Sequence, residues 1–175
     1  MKYSIFRWKS NVQLLNKVRF RRLSKDELFA LETEFKQFLI IHELYDEEWR
    51  DLAHKSPEKA EQFIELFSDL VLGKVFEDVS FLVHFTSNLV SFFDVREEVL
   101  KGYHFKYHGT ASIENESGLQ HVVMNEFDKI EVYSGTKMRT KEKADEVFEL
   151  VRKGSEICSE PLFSTYTRLF ESVKN

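Results

Sequence analysis

With 175 residues, 42% hydrophobic content, two prolines and six glycines, the chain is long enough for a sizeable core and too apolar to be disordered. Its single cysteine, Cys158, excludes an internal disulfide framework and fits a reducing compartment. The net charge of −5 is uneven: residues 1–25 carry Lys2, Arg7, Lys9, Lys17, Arg19, Arg21, Arg22 and Lys25 and no acid, so the other 150 residues net −13, which argues against general binding of nucleic acid.

No run approaches the ~18 apolar residues of a membrane span. The first residues lack an apolar stretch ending in small side chains, so a cytoplasmic location is expected.

Residues 1–17 form a basic leader without a clean period. Val18–Leu23 (VRFRRL) alternates in character and reads as a short edge strand or an extended arm. Ser24 and Glu27 make a capping box, each side chain satisfying a backbone donor of the other, and open a helix over 24–44. Its apolar stripe is Leu28, Leu31, Phe35, Phe38 and Leu39. Asp46 caps a short helix with Trp49, Leu52 and Ala53 inward. Ser56 and Pro57 then start the best-signalled helix of the chain, over 56–79. Ala60, Phe63, Ile64, Phe67, Leu70, Val71 and Val75 line its apolar face, with Glu61, Glu65 and Asp69 as a solvated row opposite.

Period two replaces this texture after Val79. Phe81, Val83 and Phe85 mark one strand, Leu89–Val95 a second, and Val99–His108 a third with Tyr103, Phe105 and Tyr107 on one side. His121–Met124 and Lys129–Tyr133 supply one or two more, after a polar stretch with Asn115 and Gly118 as turn residues. Thr140 caps a helix over 140–156 that ends near Gly154. Ser159 and Pro161 open a last helix with Leu162, Phe163, Tyr166, Leu169, Phe170 and Val173 buried. The expected fold is α+β: an N-terminal helical layer (24–79), an antiparallel sheet of four or five strands (80–134) and a C-terminal helical pair (140–173). Residues 18–175 read as a single domain.

Candidate chemistry is sparse. His104 and His108 share a strand face but stand about 13 Å apart at ~3.3 Å per residue, too far for one metal unless the strand bends. No H-x-H, H-E-x-x-H, C-x-x-C, phosphate loop or G-x-S-x-G occurs. Glu156 and Glu160 beside Cys158 should raise its thiol pKa. The Tyr103, Phe105 and Tyr107 row is better explained as core than as a platform for bases. Arg19, Arg21 and Arg22 are the one cluster able to contact an anion or an acidic partner.

The segments VRFRRLSKDELFALETEFKQFLIIH and DEEWRDLAHKSPEKAEQFIELFSDLVLGKVFEDVSFLVH resemble a family of small bacterial proteins of unknown function. In that family an R-[YF]-R-R-L-[ST]-K-E-E-L start leads into a P-E-K-A-E…L-F-S-D helix. The resemblance covers residues 18–85 well and the remainder loosely, and it brings no catalytic residue with it. It implies a bacterial cytoplasmic protein.

Three functions follow as expectations. The first is a non-enzymatic interaction or regulatory module, without cofactor, acting on a protein partner or as a homo-oligomer. The second is a metal-dependent hydrolase using His and Asp/Glu of the sheet face, which a deep polar pocket joining His84, His104 and Asp69 would favour. The third is anion or nucleic-acid binding through Arg19, Arg21 and Arg22. The resemblance also implies that residues 1–17 lie upstream of the family start. Val18 can be encoded by GTG, an alternative start codon, so the native product is expected to begin there. Intact mass of the protein from its native host checks this, and a species containing Trp8 overturns it.

Overall fold

The structure, a computed structural model, describes residues 18–174, with side chains through Ser172. The basic leader 1–17 and the side chain of Val173 lie outside the described residues. The chain divides into two compact units, Met1–Lys74 and Val75–Asn175.

In the first unit, Lys25–Ala30 (α1) and Glu32–Ile41 (α2) stand where one helix was expected over 24–44. Leu31 separates them at φ −107°, its N–H shared between the carbonyls of Glu27 and Leu28. The capping box forms as expected: the Glu27 N–H donates to Ser24 Oγ at 3.2 Å, and the Ser24 N–H donates to Glu27 Oε2 at 2.7 Å. Asp46–Lys55 (α3) has Tyr45 at its N-cap. Asp46 therefore sits one step inside the helix, in the first turn where negative charge opposes the dipole. Pro57–Asp78 (α4) begins in the first unit and ends in the second.

Aromatic rings bind α2, α3 and α4 together. Phe35 meets Trp49 edge-on at 5.4 Å and Phe67 at 5.1 Å, while Phe38 lies 5.4 Å from Phe67. His42 closes the cluster, 4.5 Å from Phe38 and 5.7 Å from Phe63. Each such pair adds roughly 0.5–1.5 kcal/mol beyond its area burial.

Residues ahead of α1 form an extended arm, not a strand. The N–H groups of Arg19 and Phe20 donate to the Asp69 carboxylate at 2.8 and 3.0 Å. The Leu23 N–H donates to Ser68 Oγ at 3.1 Å, and the Ser68 hydroxyl donates onward to the Ile64 carbonyl at 2.6 Å. Phe20 and Leu23 are buried. The buried stripe of α4 is rotated from the one its periodicity suggests, with Ser68, which takes the arm, inside it. Ala60, Phe67, Ser68 and Leu72 are buried, whereas Leu70 is 61% and Val75 44% exposed. The row Glu61, Glu65, Asp69 is more than a solvated face: Asp69 holds the backbone of the arm, and exposed Glu61 pairs with Arg22 at the surface.

The second unit is built on a five-stranded antiparallel sheet in the order β4-β3-β2-β1-β5. The strands are Phe81–Phe85 (β1), Leu89–Asp94 (β2), Val99–Tyr107 (β3), Ile130–Met138 (β4) and Glu156–Ile157 (β5). One expected strand is a helix: His121–Met124 falls inside Glu116–Asn125 (α5). Asn115 caps it by accepting from the Gly118 N–H at 2.8 Å, and Leu119 and Val122, three apart, are both buried. Gly118 is required there, because a Cβ would come within 2.5 Å of the Ser112 carbonyl oxygen. Lys143–Arg152 (α6) starts two residues later than the Thr140 cap suggested, with Glu142 at its N-cap. Gly154, at φ +100°, turns the chain from α6 into β5. Glu160–Lys174 (α7) follows, and Ser159 caps it by accepting from the Leu162 N–H at 3.4 Å.

The register places Phe81, Val83, Val90, Phe92, Phe105 and Tyr107 on one face of the sheet, in one core cluster with Leu119 and Val122 of α5 and Phe163, Tyr166 and Phe170 of α7. At the edge of this core the Tyr107 hydroxyl donates to Glu126 at 2.8 Å, and Lys129 pairs with the same carboxylate at 2.6 Å. The opposite face carries Leu82, Ser91, Phe93, Leu100 and His104. Buried Glu146 of α6 pairs with Lys137 of β4 there, beside Leu100 in the register. That face is therefore partly covered rather than wholly wet, and the architecture is α+β.

Phe67 is 2% exposed, so Phe67→Ala should cost about 3–5 kcal/mol in urea unfolding. Leu70→Ala, on the exposed flank, should stay within about 0.5 kcal/mol. Similar costs for the two would overturn the rotated stripe.

Candidate functional site

The three arginines of the arm have intramolecular roles. Arg21 makes a two-pronged bond to Glu27, with Nη1 2.8 Å and Nη2 2.7 Å from the carboxylate oxygens. Arg22 pairs with Glu61 at 2.7 Å. The Arg19 guanidinium lies over the ring of Phe20, 4.9 Å from its centroid. Two acids of the same chain thus already neutralise two of the charges that made VRFRRL look like an anion contact. The Arg21 hydrogen bond and the Ser24 N–H hold the Glu27 carboxyl down to about 2.

The sheet brings together a polar row that no motif announced. Reading across four strands, His84 pairs with Ser91, Ser91 with His104, and His104 with Tyr133. Ser91 Oγ and His104 Nδ1 lie 2.8 Å apart. The His104 ring stacks on Tyr133 at 4.7 Å and meets Phe93 edge-on at 6.1 Å. It also folds over Gly102, where a Cβ would stand 2.8 Å from Nε2. Burial pushes the His104 pKa below its usual value, so the ring is neutral at pH 7 and can take the Ser91 hydroxyl proton on Nδ1. His84 Nδ1 is buried without a hydrogen-bond partner.

The row has the reach of a nucleophile and base but lacks the rest of such a site. Ser91 is only 5% exposed, and among the described residues no carboxylate hydrogen-bonds His104. Among the described residues no group of three or more His, Cys, Asp or Glu is placed to hold a metal ion. His108 pairs instead with Glu131 at 3.0 Å, and Asp69 belongs to the first unit, where it holds the arm. Cys158 is buried and its thiol is pushed up to about 11. Burial is the larger cause and Glu116 adds to it, in place of the neighbouring Glu156 and Glu160 expected from sequence.

A more open feature lies between α5 and α7, a groove of about 550 Å³. Val123 and Met124 line one wall, Pro161, Leu162 and Leu169 the other, and Tyr166 contributes from the core side. Met124 is 71% exposed. Glu116 is the single charged side chain of the lining. The groove was invisible from sequence because its first wall was read as strand. The signal was present, though: Asn115 followed by Glu116, Leu119, Val122 and Val123 is a cap leading into helical spacing.

Among the described residues Asp94 is the most buried carboxylate of the sheet, 5% exposed. Burial pushes its carboxyl up, but two bonds from the Arg96 guanidinium, at 3.0 and 2.8 Å, outweigh that and leave it below the usual range. Arg96 in turn covers the Phe81 ring at 4.7 Å. The Arg96 side chain of the pair is partly exposed, while the Asp94 carboxylate is buried beneath it.

Glu27 generates a pH prediction. Its folded pKa is depressed, so its contribution to stability is complete above the ordinary value of 4.5 and is lost as pH falls toward 2. Chemical unfolding should show Glu27→Gln less stable than the unmodified protein at pH 7, with the gap closing below pH 4.5. A gap independent of pH would overturn the Arg21 and Ser24 origin of the shift.

Comparison with known proteins finds no significant match among curated proteins or among solved structures. Residues 18–171 match the sequence profile of a family of unknown function, DUF6495, and that span takes in the extended arm, the helices of the first unit and the whole sheet of the second. The chain therefore belongs to the DUF6495 family.

Proposed function

We propose that the protein is a bacterial cytoplasmic interaction module without catalytic activity, and that it docks a basic amphipathic helix of a partner protein in the groove between α5 and α7. The observation that carries this reading is the groove's lining, in which apolar Val123, Met124, Pro161, Leu162 and Leu169 stand among the uncharged polar Gln120, Ser159 and Thr165, with one carboxylate, Glu116, and no cation. The span from the Ser159 cap to Leu169 of α7 gives it a length of about 15 Å at 1.5 Å per residue, room for roughly three turns of a docked helix. Apolar anchors at i, i+4 and i+7 would meet Met124, Leu162 and Leu169. Lys or Arg beside them would face Glu116 and, beyond it, a chain whose residues 26–175 net −13.

A hydrolase reading is favoured by one distance, the 2.8 Å between Ser91 and His104. The burial of Ser91 and the absence of an orienting acid on His104 count against it. Anion binding at the arm would require displacing Glu27 from Arg21 and Glu61 from Arg22.

A Leu/Lys amphipathic helical peptide titrated into the full chain provides the test, followed by amide shifts. The expected perturbations centre on Glu116, Val123, Met124, Leu162 and Leu169. Met124→Glu, on an exposed side chain, should weaken binding by about tenfold or more. Glu116→Lys should weaken it and flatten its salt dependence. Shifts elsewhere, no binding, or affinity unmoved by both substitutions would overturn the assignment.

A further inference from the structure

The groove between α5 and α7 holds polar groups that an apolar occupant would leave without partners. Tyr166 is 5% exposed, and its ring belongs to the core, stacked on Phe92 at 5.2 Å and edge-on to Phe105 at 6.1 Å. It also lines the groove, so the part it offers there is the far end of the side chain, the hydroxyl. That hydroxyl makes no hydrogen bond among the described residues. It is not sealed from solvent either: the sealed, unpartnered side-chain atoms are His84 Nδ1 and Arg139 Nη1.

Two side chains of α5 lie along the same groove with acceptors to spare. Glu116 and Gln120, four apart, share one face of the helix. Both are exposed, and neither has a hydrogen bond or ion pair among the described residues. Burial, and then the charge of Glu116, push the Tyr166 phenol up, and the same two causes push up the Cys158 thiol. The carboxylate therefore acts across the groove on α7 as well as on solvent. A helix laid in the groove covers a carboxylate and a hydroxyl, which is unfavourable unless the helix brings donors for them.

Resting on the docking reading above, we infer that the partner helix carries a lysine whose ammonium is held jointly by the Glu116 carboxylate and the Tyr166 hydroxyl, and that this one side chain selects the partner. An ammonium has three N–H donors, and the Glu116 carboxylate, the Tyr166 oxygen and the Gln120 amide oxygen supply an acceptor for each. The apolar stem of a lysine suits the Val123 and Leu162 walls on the way in. A guanidinium brings five donors in a rigid plane and leaves at least two of them covered without a partner. No cation of the chain lines the groove, so none there competes for the place. The apolar anchors give affinity that any amphipathic helix can share; the lysine gives the choice among them.

The test uses the full chain and the Leu/Lys peptide, with each lysine of the peptide replaced in turn by norleucine, which keeps the stem and removes the ammonium. Calorimetric titration reads the affinities. At one position affinity should fall about tenfold, and with that peptide alone Tyr166→Phe and Glu116→Gln should cost nothing further. Against the unchanged peptide each of the two variants should weaken binding about tenfold. Tyr166→Phe removes one oxygen and keeps the ring in the core, and circular dichroism checks that the fold is retained. Arginine at the sensitive position should restore less affinity than lysine. Equal losses at every lysine, an affinity unmoved by Tyr166→Phe, or full restoration by arginine overturns the inference. When the peptide still binds in those cases, with amide shifts centred on Met124 and Leu169, the docking reading stands without the lysine. A peptide that does not bind at all overturns both.

Discussion

The second unit depends on what happens around one ring. Phe92 is fully buried, stacked on Tyr166 at 5.2 Å and edge-on to Phe105 at 6.0 Å and Phe163 at 6.4 Å. Those contacts seat α7 on the sheet and so set one wall of the groove. They also determine the pleat: once Phe92 and Phe105 face α7, Ser91 and His104 must face the other way. A one-residue slip would exchange the two faces and expose every ring in the cluster. The polar row is thus a by-product of burying the aromatics, and the cross-strand bond between Ser91 and His104 is how the sheet satisfies two polar groups on its far side.

The first unit is organised by a different constraint, the need to give the backbone of an extended arm hydrogen-bond partners. Asp69 accepts two of its N–H groups and Ser68 a third. Neither side chain belongs to an apolar stripe, yet both are engaged, and Ser68 is fully buried. The basic residues between these anchors are held by Glu27 and Glu61. Charge that resembles a ligand contact in a linear reading is here internal, joining the arm to the helix start at Ser24 and to α4. Such pairs lie at the surface and add little to stability individually; their role is to hold the direction of the arm.

Functionally, the chain offers surfaces more readily than chemistry. Ser91 in its most polar convergence is buried, its cysteine is buried with its thiol pushed up to about 11, and Arg21 and Arg22 of the arm are paired with Glu27 and Glu61. The groove between α5 and α7, largely apolar with one acid, remains open. It would act through side-chain shape rather than a reactive group, which is the chemistry of association.

The sequence by itself determined the element types where local signals were strong. The Ser24–Glu27 capping box, the Pro57 start, the period-two runs of β1 to β3 and the Ser159 cap all carry their own physics within a few residues, so the α+β class was legible. The helix at 116–125 was also written locally, in Asn115 and the spacing of Leu119 and Val122, although its β-branched Val122 and Val123 read as strand. Tertiary structure alone decided the rest. Periodicity states that α4 has a greasy side, but the fold buries Ser68 and Leu72 and leaves Leu70 and Val75 exposed. Residues 91 and 104 become neighbours only through register, which no single strand encodes. Glu61 and Asp69 looked like a solvated row because their partners stand 39 to 50 residues away in the chain. Local propensity is a sum over neighbours in sequence; pairing of charges, faces and edges depends on neighbours in space.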